Sequence, residues 1–455
     1  MEQYKRNTET SSRRDFTKGN ISRQLVLFAL PLFLSNLLQI IYNIVDMLIV
    51  GRYVGSIGLT SVSVGGDISG FLTFIAIGFS NAGQVIIAQF IGANREDQIG
   101  KFIGTMMKSL LLCALAVSIA SFFLRKYFLL WMNTPDEAWE YALAYTTICN
   151  MGLVFIYGYN AVSAIMRGFG DSRHPFIFVS IAAILNVFLD FLFVKYFHWG
   201  AGGAALATVS SQAVSFGYAM FYICGNRKIY QIKFDRENLR IDYEMLGILV
   251  KLGIPMAIRN AAVSFSKLCV NSWINSYGVV VAAVSGIANK FNTIANLFSN
   301  AVNTAGASMI GQNIGAAKYQ RVPRVMLSAF VIDSLIMGIL IWLLATFPET
   351  IYSFFTTDTS VIFVGLEYVP IGAFVFLGNA FRAAMNAFLN GSGNYRINFA
   401  VAILDGMILR VSLSLLFGTI FKWGYKGFWL GDAVASFTPF VIGALYYKYG
   451  DWKKR

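Results

Sequence analysis

The sequence predicts an all-α polytopic membrane protein, with twelve transmembrane helices arranged as two parallel six-helix repeats that face a central cleft. Three observations support this fold class. The first is composition: 56% of the 455 residues are hydrophobic and only 13% are charged, with a mean hydropathy of +0.60. A soluble domain carries roughly 25% charged residues, so this chain has too little polar surface for a water-soluble globule.

The second observation is a series of twelve apolar segments. Each has about the 20 residues that a helix needs to cross the hydrocarbon core of a bilayer. Strand-like alternation of the membrane β-barrel kind is absent from the sequence, and the first segment is too long for a signal peptide, which predicts a retained span. The predicted segments are 24–50, 57–88, 102–124, 138–166, 174–197, 201–224, 246–276, 280–311, 325–347, 359–389, 397–421 and 425–447.

The third observation is an internal repeat at an offset of 223 residues. The stretch "AQFIGANREDQIGK" (88–101) corresponds to "GQNIGAAKYQRVPR" (311–324), and "MRGFGDSR" (166–173) corresponds to "LNGSGNYR" (389–396). Similarity at a fixed period predicts a repeated structural unit. Because each repeat has an even number of spans, both enter the membrane from the same side and are parallel.

The repeat divides the chain into five predicted regions. These are an N-terminal tail (1–23), an N-lobe of helices 1–6 (24–224), an interlobe linker (225–245), a C-lobe of helices 7–12 (246–447) and a C-terminal tail (448–455). Only six of the 36 Lys and Arg residues fall in the loops on the side opposite the termini. Positive loops stay inside, so we expect both termini, and the linker, to be cytoplasmic in the inner (plasma) membrane.

The same topology explains the net charge of +13, because no basic run carries a nucleic-acid-binding motif. The four cysteines show no CxxC spacing and suggest neither a disulfide framework nor a metal site. The sequence has no GxxxxGK[ST] loop for ATP and no HExxH or GxSxG motif. We therefore expect no enzyme activity, no cofactor and no nucleic-acid partner, and an ion gradient as the source of energy.

Two acids lie inside apolar helices of the predicted N-lobe. Asp46 is on helix 1 in "YNIVDMLIVGRYVG" (42–55), and Asp190 ends "LNVFLD" (185–190) on helix 5. A charged group inside the membrane costs about 2.5–3.5 kcal/mol on insertion scales and marks a functional site. Asn186 lies four residues before Asp190 and therefore on the same helix face, so these oxygens can hold a proton or a hard monovalent cation.

The repeat also predicts that the two lobes differ chemically. The counterparts of Asp46 and Asp190 in the second half fall at Val270 and Leu413, so the acid pair belongs to the N-lobe alone. The C-lobe instead has basic residues within its apolar segments, and we expect these to form internal ion pairs with nearby aspartates. The basic residues are Lys267, Lys290, Arg382 and Arg410, and the available aspartates are Asp333, Asp405 and Asp432.

Together these features resemble the multidrug and toxic compound extrusion (MATE) transporters, in particular their bacterial DinF-like branch. The resemblance covers residues 21–450. It is carried by "LPLFLSNLLQIIYNIVDMLIVGRYVG" on helix 1, "AQFIGA" after helix 2, "MRGFGDSR" after helix 4 and "NVFLD" on helix 5. It implies a secondary antiporter that exports organic, often cationic and aromatic, drugs or metabolites in exchange for H⁺ or Na⁺, by alternating access of two lobes.

The resemblance further implies roles for individual residues. It assigns the coupling cation, H⁺ or a bound Na⁺ ion, to Asp46, Asn186, Asp190 and Thr208. Pro31 matches the proline about which helix 1 bends in some members. The physical chemistry agrees, because a proline removes a backbone hydrogen bond from a helix and leaves a hinge.

The expected partners are a small organic substrate and the lipid bilayer, and we expect a monomer. The candidate residues for the substrate cavity are Tyr42, Asn43, Asn160 and Met166. Two other functions stay open on the sequence alone. One is a lipid-linked oligosaccharide flippase of a related superfamily, which the basic residues of the C-lobe would suit, and the other is a channel.

Overall fold

The computed structural model describes residues 14–227, 230 and 240–453. Within these residues the chain is helical and has no strand, and twelve long helices follow one another. They are α1 (Ile21–Tyr53), α2 (Ser56–Gly92), α3 (Glu96–Trp131), α4 (Trp139–Met151 and Leu153–Gly168), α5 (Arg173–Tyr196), α6 (Gly200–Gly225), α7 (Tyr243–Asn275), α8 (Val279–Gly315), α9 (Val322–Thr346), α10 (Thr359–Gly391), α11 (Tyr395–Ile420) and α12 (Gly424–Tyr449).

Nine of these helices, within the described residues, are long and apolar enough to cross a membrane, and the bent helix α4 makes a tenth. The two that complete the set of twelve are α6, which is rich in Gly, Ala and Ser, and α8, which is rich in Ala, Gly and Asn. Small residues lower the hydropathy of a helix but allow neighbouring helices to approach closely. The described helices therefore agree in number with the twelve predicted segments.

Large apolar side chains remain exposed along the outer faces of the helices. Examples are Phe123, which is 72% exposed, Ile184 at 74% and Phe221 at 76%. In a soluble protein such surfaces would associate or aggregate, whereas a lipid bilayer solvates them. The distribution of apolar side chains is that of a protein whose solvent is lipid.

The contacts within the chain define two compact units. Leu30–Ala257 forms the main part of the first unit, and Ile258–Arg455 that of the second, to which Phe16–Ala29 also belongs. The divisions fall next to the prolines inside α1 and α7, which are Pro31 and Pro255. The predicted lobe boundaries stay predictions. Parts of the predicted tails and linker, namely 1–13, 228–229, 231–239 and 454–455, lie outside the described residues.

The two halves of the chain repeat the same local geometry. The residues Phe193, Phe197 and Trp199 stack at the end of α5, with ring centroids 5.1 to 6.1 Å apart. Their counterparts 224 residues later, Phe417, Phe421 and Trp423, form the same cluster at the end of α11. Each cluster accompanies a π-helical turn, Phe191–Tyr196 in α5 and Leu416–Ile420 in α11.

The predicted counterpart of Asp190 in the second repeat is wrong by one residue. A further π-helical segment, Leu404–Leu409, interrupts α11, whereas the corresponding part of α5 is α-helical. A π turn accommodates an extra residue in a helix, so the offset is 223 at 166–173 and 389–396, before this segment, and 224 at the aromatic clusters after it. The counterpart of Asp190 is therefore the buried Ser414 and not Leu413.

Close contact between α11 and α12 yields a prediction about stability. A Cβ atom added at Gly431 would lie 2.4 Å from the backbone nitrogen of Ser414, so Gly431→Ala should cost about 1–3 kcal/mol through overpacking. The matched control is Gly286→Ala in α8, where an added Cβ meets no atom within 4 Å. That change should be neutral or stabilise the helix by up to about 1 kcal/mol.

Thermal unfolding of the purified variants in detergent measures the difference. We expect a lower apparent Tm for Gly431→Ala and an unchanged or higher Tm for Gly286→Ala. Equal values of Tm for the two variants would contradict the close helix contact.

Candidate functional site

Asp190 is the most deeply buried acid among the described residues of the first unit. It ends the α-helical part of α5, directly before the π-helical turn Phe191–Tyr196. Its side chain has no exposed surface, and neither carboxylate oxygen has a hydrogen-bond partner. Buried polar atoms are nearly always hydrogen-bonded, so two acceptors without donors indicate a site that a ligand completes.

Asp46 on α1 lies beside Asp190. Its side chain is 6% exposed, and its Oδ1 atom is buried without a hydrogen-bond partner. The carboxylates of Asp46 and Asp190 are close enough for their charges to interact, and neither forms an ion pair with a described residue. The structure thus brings together the two acids that the sequence analysis selected.

A hydrogen bond between Asn186 and Thr208 links α5 to α6 next to these acids. The Nδ2 atom of Asn186 donates to Thr208 Oγ1 over 3.4 Å, while Asn186 Oδ1 is buried and has no donor. Asp46, Asn186 and Asp190 therefore contribute four buried acceptor oxygens that lack donors. All four belong to carboxylate or amide groups, which are the ligands that hard cations prefer.

The surroundings of the site are apolar. A buried cluster drawn from α1, α2, α4, α5 and α6 packs against it. Its members are Ile49, Val50, Val62, Tyr145, Cys149, Val194, Ala201, Ala204 and Ala205. Such an environment offers few dipoles to replace water around a charge, so an ionised carboxylate here is costly unless a cation or a proton neutralises it.

Two of the predicted cavity residues, Tyr42 and Asn160, are polar and half-buried. Tyr42 hydrogen-bonds to Gln212 and lies close to Asp46 and Tyr159. The Nδ2 atom of Asn160 donates to the Ile156 carbonyl over 2.8 Å, which leaves its Oδ1 atom available. Both side chains could contribute polar contacts to a ligand without breaking an ion pair.

The other two predicted cavity residues differ from each other in burial. Asn43 is exposed on α1. Met166 has no exposed surface, so it does not line an open space in this conformation. The reason is its place on α4, whose residues Ala161, Val162, Ala164 and Ile165 are also buried.

Pro31 lies within a continuous α1. The helix runs from Ile21 to Tyr53 without interruption, and Ser35 Oγ donates to the Pro31 carbonyl over 2.8 Å. Proline has no N–H to offer the carbonyl one turn earlier, so α1 lacks one backbone hydrogen bond here. The hinge role of Pro31 stays a prediction.

Comparison with known proteins decides the family. The MatE family model matches residues 31–192 and matches the chain a second time at 255–416. The chain belongs to the MatE family. The two matches start and end 224 residues apart, as the repeated aromatic clusters do.

Relatives of this MatE protein match it over nearly its full length. Probable multidrug resistance protein YpnP of Bacillus subtilis (strain 168) is 29% identical over 96% of this chain and 97% of that protein. Probable multidrug resistance protein YoeA of the same organism is 27% identical over 96% of both. A crystal structure of MATE in the bent conformation has a TM-score of 0.88 at 20% identity, covering 96% of this chain and 98% of that one.

These findings confirm the predicted fold class, a twelve-helix membrane transporter built from two repeats. They also confirm that the chain is a MATE-type efflux transporter. Members of the MatE family are transporters and not enzymes, and they take small-molecule substrates and are embedded in the membrane.

The second repeat of this MatE protein has an ion pair at the positions where the first repeat has Asn186 and Thr208. At the offset of 224, Arg410 corresponds to Asn186 and Asp432 to Thr208. Arg410 is 1% exposed and pairs with Asp432, and its second terminal nitrogen donates to Asp405 over 3.1 Å. The second unit thus supplies its own cation at this position.

The expected ion pairs in the second unit form only in part. The pairing of Arg410 is confirmed, but Arg382 donates to the amides of Asn296, over 2.5 Å, and Asn379, over 2.8 Å. Within the described residues, Lys267 and Lys290 form no ion pair. Sequence spacing could not show this for Arg382, because one of its two amide partners, Asn296, is on the neighbouring helix α8.

Sequence reasoning missed Tyr145 and Cys149 of α4, which hydrogen-bond to each other and lie close to Asp46. It also missed Gln212, the partner of Tyr42. Tyr145 and Cys149 are four residues apart, and this spacing indicates that they share a helix face. Nothing in the sequence, however, indicates that this face meets α1.

The buried ion pair yields a prediction. Arg410→Met removes the cation from the half-buried Asp432 and leaves the buried Asp405 with only Arg259, 4.0 Å away, which should cost about 3–5 kcal/mol. The control is Lys426→Met, which breaks an ion pair with Glu367 at 3.1 Å whose side chains are 49% and 30% exposed. Exposed pairs contribute at most about 1 kcal/mol.

Unfolding of both variants in detergent tests this comparison. Arg410→Met should unfold at a much lower temperature than the parent, and Lys426→Met close to it. Similar behaviour of the two variants would show that the Arg410 pair does not hold the second unit together.

Proposed function

We propose that this MatE transporter is a secondary active antiporter that exports organic, often cationic and aromatic, compounds in exchange for H⁺ or Na⁺. The coupling cation binds at Asp46, Asn186, Asp190 and Thr208. One observation carries this proposal: four buried acceptor oxygens on α1 and α5 have no donor and lie in an apolar cluster.

A cation completes this site for electrostatic reasons. Two neighbouring carboxylates repel each other strongly where the effective dielectric constant is low. A proton shared between them, or a Na⁺ ion with Asn186 Oδ1 as a further ligand, removes the repulsion and satisfies the acceptors. Release of the cation restores the repulsion, so occupancy of the site changes how α1 packs against α5.

Exchange follows from competition for the same pair of carboxylates. The acids attract either the coupling cation or a cationic substrate, but neutralisation by one weakens the attraction for the other. Such mutual exclusion is a reciprocal coupling between two ligands. One-for-one exchange of the coupling cation for a monovalent cationic substrate moves no net charge, so the concentration gradient of the coupling cation drives substrate export by alternating access of two lobes.

Coupling through one site is favoured over coupling through two. In the second repeat the equivalent position holds Arg410, whose guanidinium neutralises Asp405 and Asp432. A coupling cation would have to displace this buried group. Val270 and Ser414, the counterparts of Asp46 and Asp190, carry no charge.

The proposal includes location and partners. The transporter works as a monomer without a cofactor or nucleic acid, in the inner (plasma) membrane, with both termini cytoplasmic. The matches to multidrug resistance proteins favour export of small organic compounds over a lipid-linked oligosaccharide flippase or a channel.

Dye efflux in inverted membrane vesicles tests the proposal. Uptake of a cationic aromatic dye is recorded under a pH gradient and, separately, under a Na⁺ gradient. We expect one gradient to drive the parent, and Asp46→Asn and Asp190→Asn to lose at least about 90% of gradient-driven transport, because each removes a buried charge on which coupling depends.

Asp97→Asn is the control, since Asp97 is an exposed acid at the start of α3. It should transport like the parent. The coupling site would be refuted if both site variants showed gradient-driven transport at the rate of the parent. Antiport would be refuted if the parent transported the dye without requiring a gradient.

The predicted hinge gives a separate test. Pro31→Ala restores a backbone N–H for the turn that precedes it and should stiffen α1. We expect dye affinity within about twofold of the parent but transport slowed by about fivefold or more, because a hinge acts on the conformational step and not on binding.

The control for this substitution is Pro348→Ala, at the first position of the short helix Pro348–Ser353. A proline there costs no helix hydrogen bond, so its replacement should leave transport unchanged. Equal transport by Pro31→Ala and the parent would exclude a hinge at this position.

A further inference from the structure

A short non-helical segment before α1 is held tightly by the second unit. We name residues 16–19 the N-terminal strap; they form a turn before the helix that starts at Ile21. The strap and the first half of α1, up to Ala29, belong to the second unit. Phe16 has no exposed surface, and its ring lies 5.0 Å from that of Phe28. The proposed coupling gives this strap no role.

Two buried amides at the end of α8 bind the backbone of Phe16. The Phe16 N–H donates to Gln312 Oε1 over 3.0 Å, and Asn313 Nδ2 donates to the Phe16 carbonyl over 3.1 Å. Gln312 is 1% exposed, and Asn313 has no exposed surface. Release of the strap would take a partner from each buried amide and would expose the Phe16 ring, and both changes are unfavourable.

Two basic residues between α8 and α9 hold the rest of the strap. Lys318 Nζ donates to the Thr17 carbonyl over 3.0 Å and to Thr17 Oγ1 over 3.1 Å. Arg321 Nη2 lies 3.1 to 3.3 Å from three carbonyl oxygens, those of Phe16, Lys18 and Gly19. Hydrogen bonds from charged donors are stronger than those between neutral groups, so these contacts fix the path of the strap.

The attachment continues into the first turn of α1. Ser22 Oγ lies 3.0 Å from Ser328 Oγ of α9, so the helix is held at its side as well as through the strap. The part of α1 that belongs to the second unit ends at Ala29, next to Pro31. Asp46 lies beyond this proline, in the part of α1 that belongs to the first unit.

The second repeat has an equivalent attachment at the start of α7. The first half of α7, up to Ala257, belongs to the first unit, and Pro255 lies near its end. The N–H of Asp242, directly before α7, donates to Thr105 Oγ1 of α3 over 3.1 Å. Thr105 corresponds to Ser328 at the offset of 223. Since a held first half that ends near a proline occurs in both repeats, it belongs to the repeated fold.

We propose that the N-terminal strap is a permanent anchor of α1. It keeps the first half of the helix on the second unit throughout transport, so that the half with Asp46 moves about Pro31. A hinge changes the angle between two parts of a helix only if one part is held. Lys318 and Arg321 are then positioning residues, because they act through α1 and not on the coupling cation. This inference rests on the proposed antiport and adds the residues that hold the moving helix.

A reversible cross-link tests whether the anchor is permanent. Ser22→Cys and Ser328→Cys are combined, because the 3.0 Å between the two hydroxyl oxygens places these side chains within reach of a disulfide bond. The pair is oxidised with copper phenanthroline in inverted vesicles, and mass spectrometry measures the cross-link. We expect gradient-driven dye transport to stay within about twofold of that after reduction with dithiothreitol, because the attached half does not move.

The parent, which keeps its four native cysteines, is oxidised and reduced in parallel, and transport is expressed relative to it. A loss of more than about twofold that dithiothreitol restores would overturn the anchor, since the first half of α1 would then have to leave α9 in each cycle. Failure of the cysteine pair to cross-link would overturn the contact on which the anchor depends.

Removal of the arginine tests its positioning role. Arg321→Gln loses the charged donor to three strap carbonyls, so we expect transport slowed by about fivefold or more and dye affinity within about twofold of the parent. Adding the oxidised cysteine pair at positions 22 and 328 should restore transport, because the disulfide replaces the lost attachment. The control is Arg324→Gln, at an exposed position of α9, which should transport like the parent.

The outcomes separate this inference from the proposed function. Transport by Arg321→Gln at the rate of the parent, weakened dye binding by that variant, or no rescue by the cross-link would each overturn the inference. In those cases gradient-driven transport by the parent would leave the antiporter standing. A parent that transports no dye under either gradient would overturn both.

Discussion

The first unit depends on a single electrostatic constraint, the burial of two carboxylates that have no cation of their own. Asp46 and Asp190 lie against a cluster of Val, Ile and Ala side chains, and the acceptor oxygen of Asn186 points to no donor either. A fold tolerates such a group only if something outside the chain completes it. Here the smallest suitable ligand, a proton or a monovalent cation, is also the one that a membrane gradient supplies.

The two repeats of this chain have different side chains at one equivalent pair of positions. Where the first repeat has Asn186 and Thr208, which leave an acceptor free, the second has Arg410 and Asp432, which neutralise each other. The first position can respond to an ion gradient, and the second cannot without losing an ion pair. The asymmetry therefore supports the proposal that energy coupling belongs to the first repeat alone.

Much of the fold could be predicted from the sequence because lipid imposes a simple rule, about 20 apolar residues per span. Asp46, Asp190 and Asn186 could be found for the same reason, since polar groups stand out in apolar helices. Tyr145 and Gln212 could not, because their meeting with α1 depends on helix rotation. The predicted counterpart of Asp190, Leu413, was wrong by one residue. The π-helical segment Leu404–Leu409, which composition does not reveal, shifts the alignment of the two repeats.

The π-helical turns indicate which features belong to the fold and which to the site. Phe191–Tyr196 directly follows Asp190, a position that would fit a role in ion binding. Leu416–Ile420 forms the equivalent turn, with the same aromatic cluster, in a repeat that has Ser414 in place of the acid. Since the turn occurs with and without the carboxylate, it belongs to the repeated fold and not to the acid site. What distinguishes the first repeat is the side chain placed before the turn.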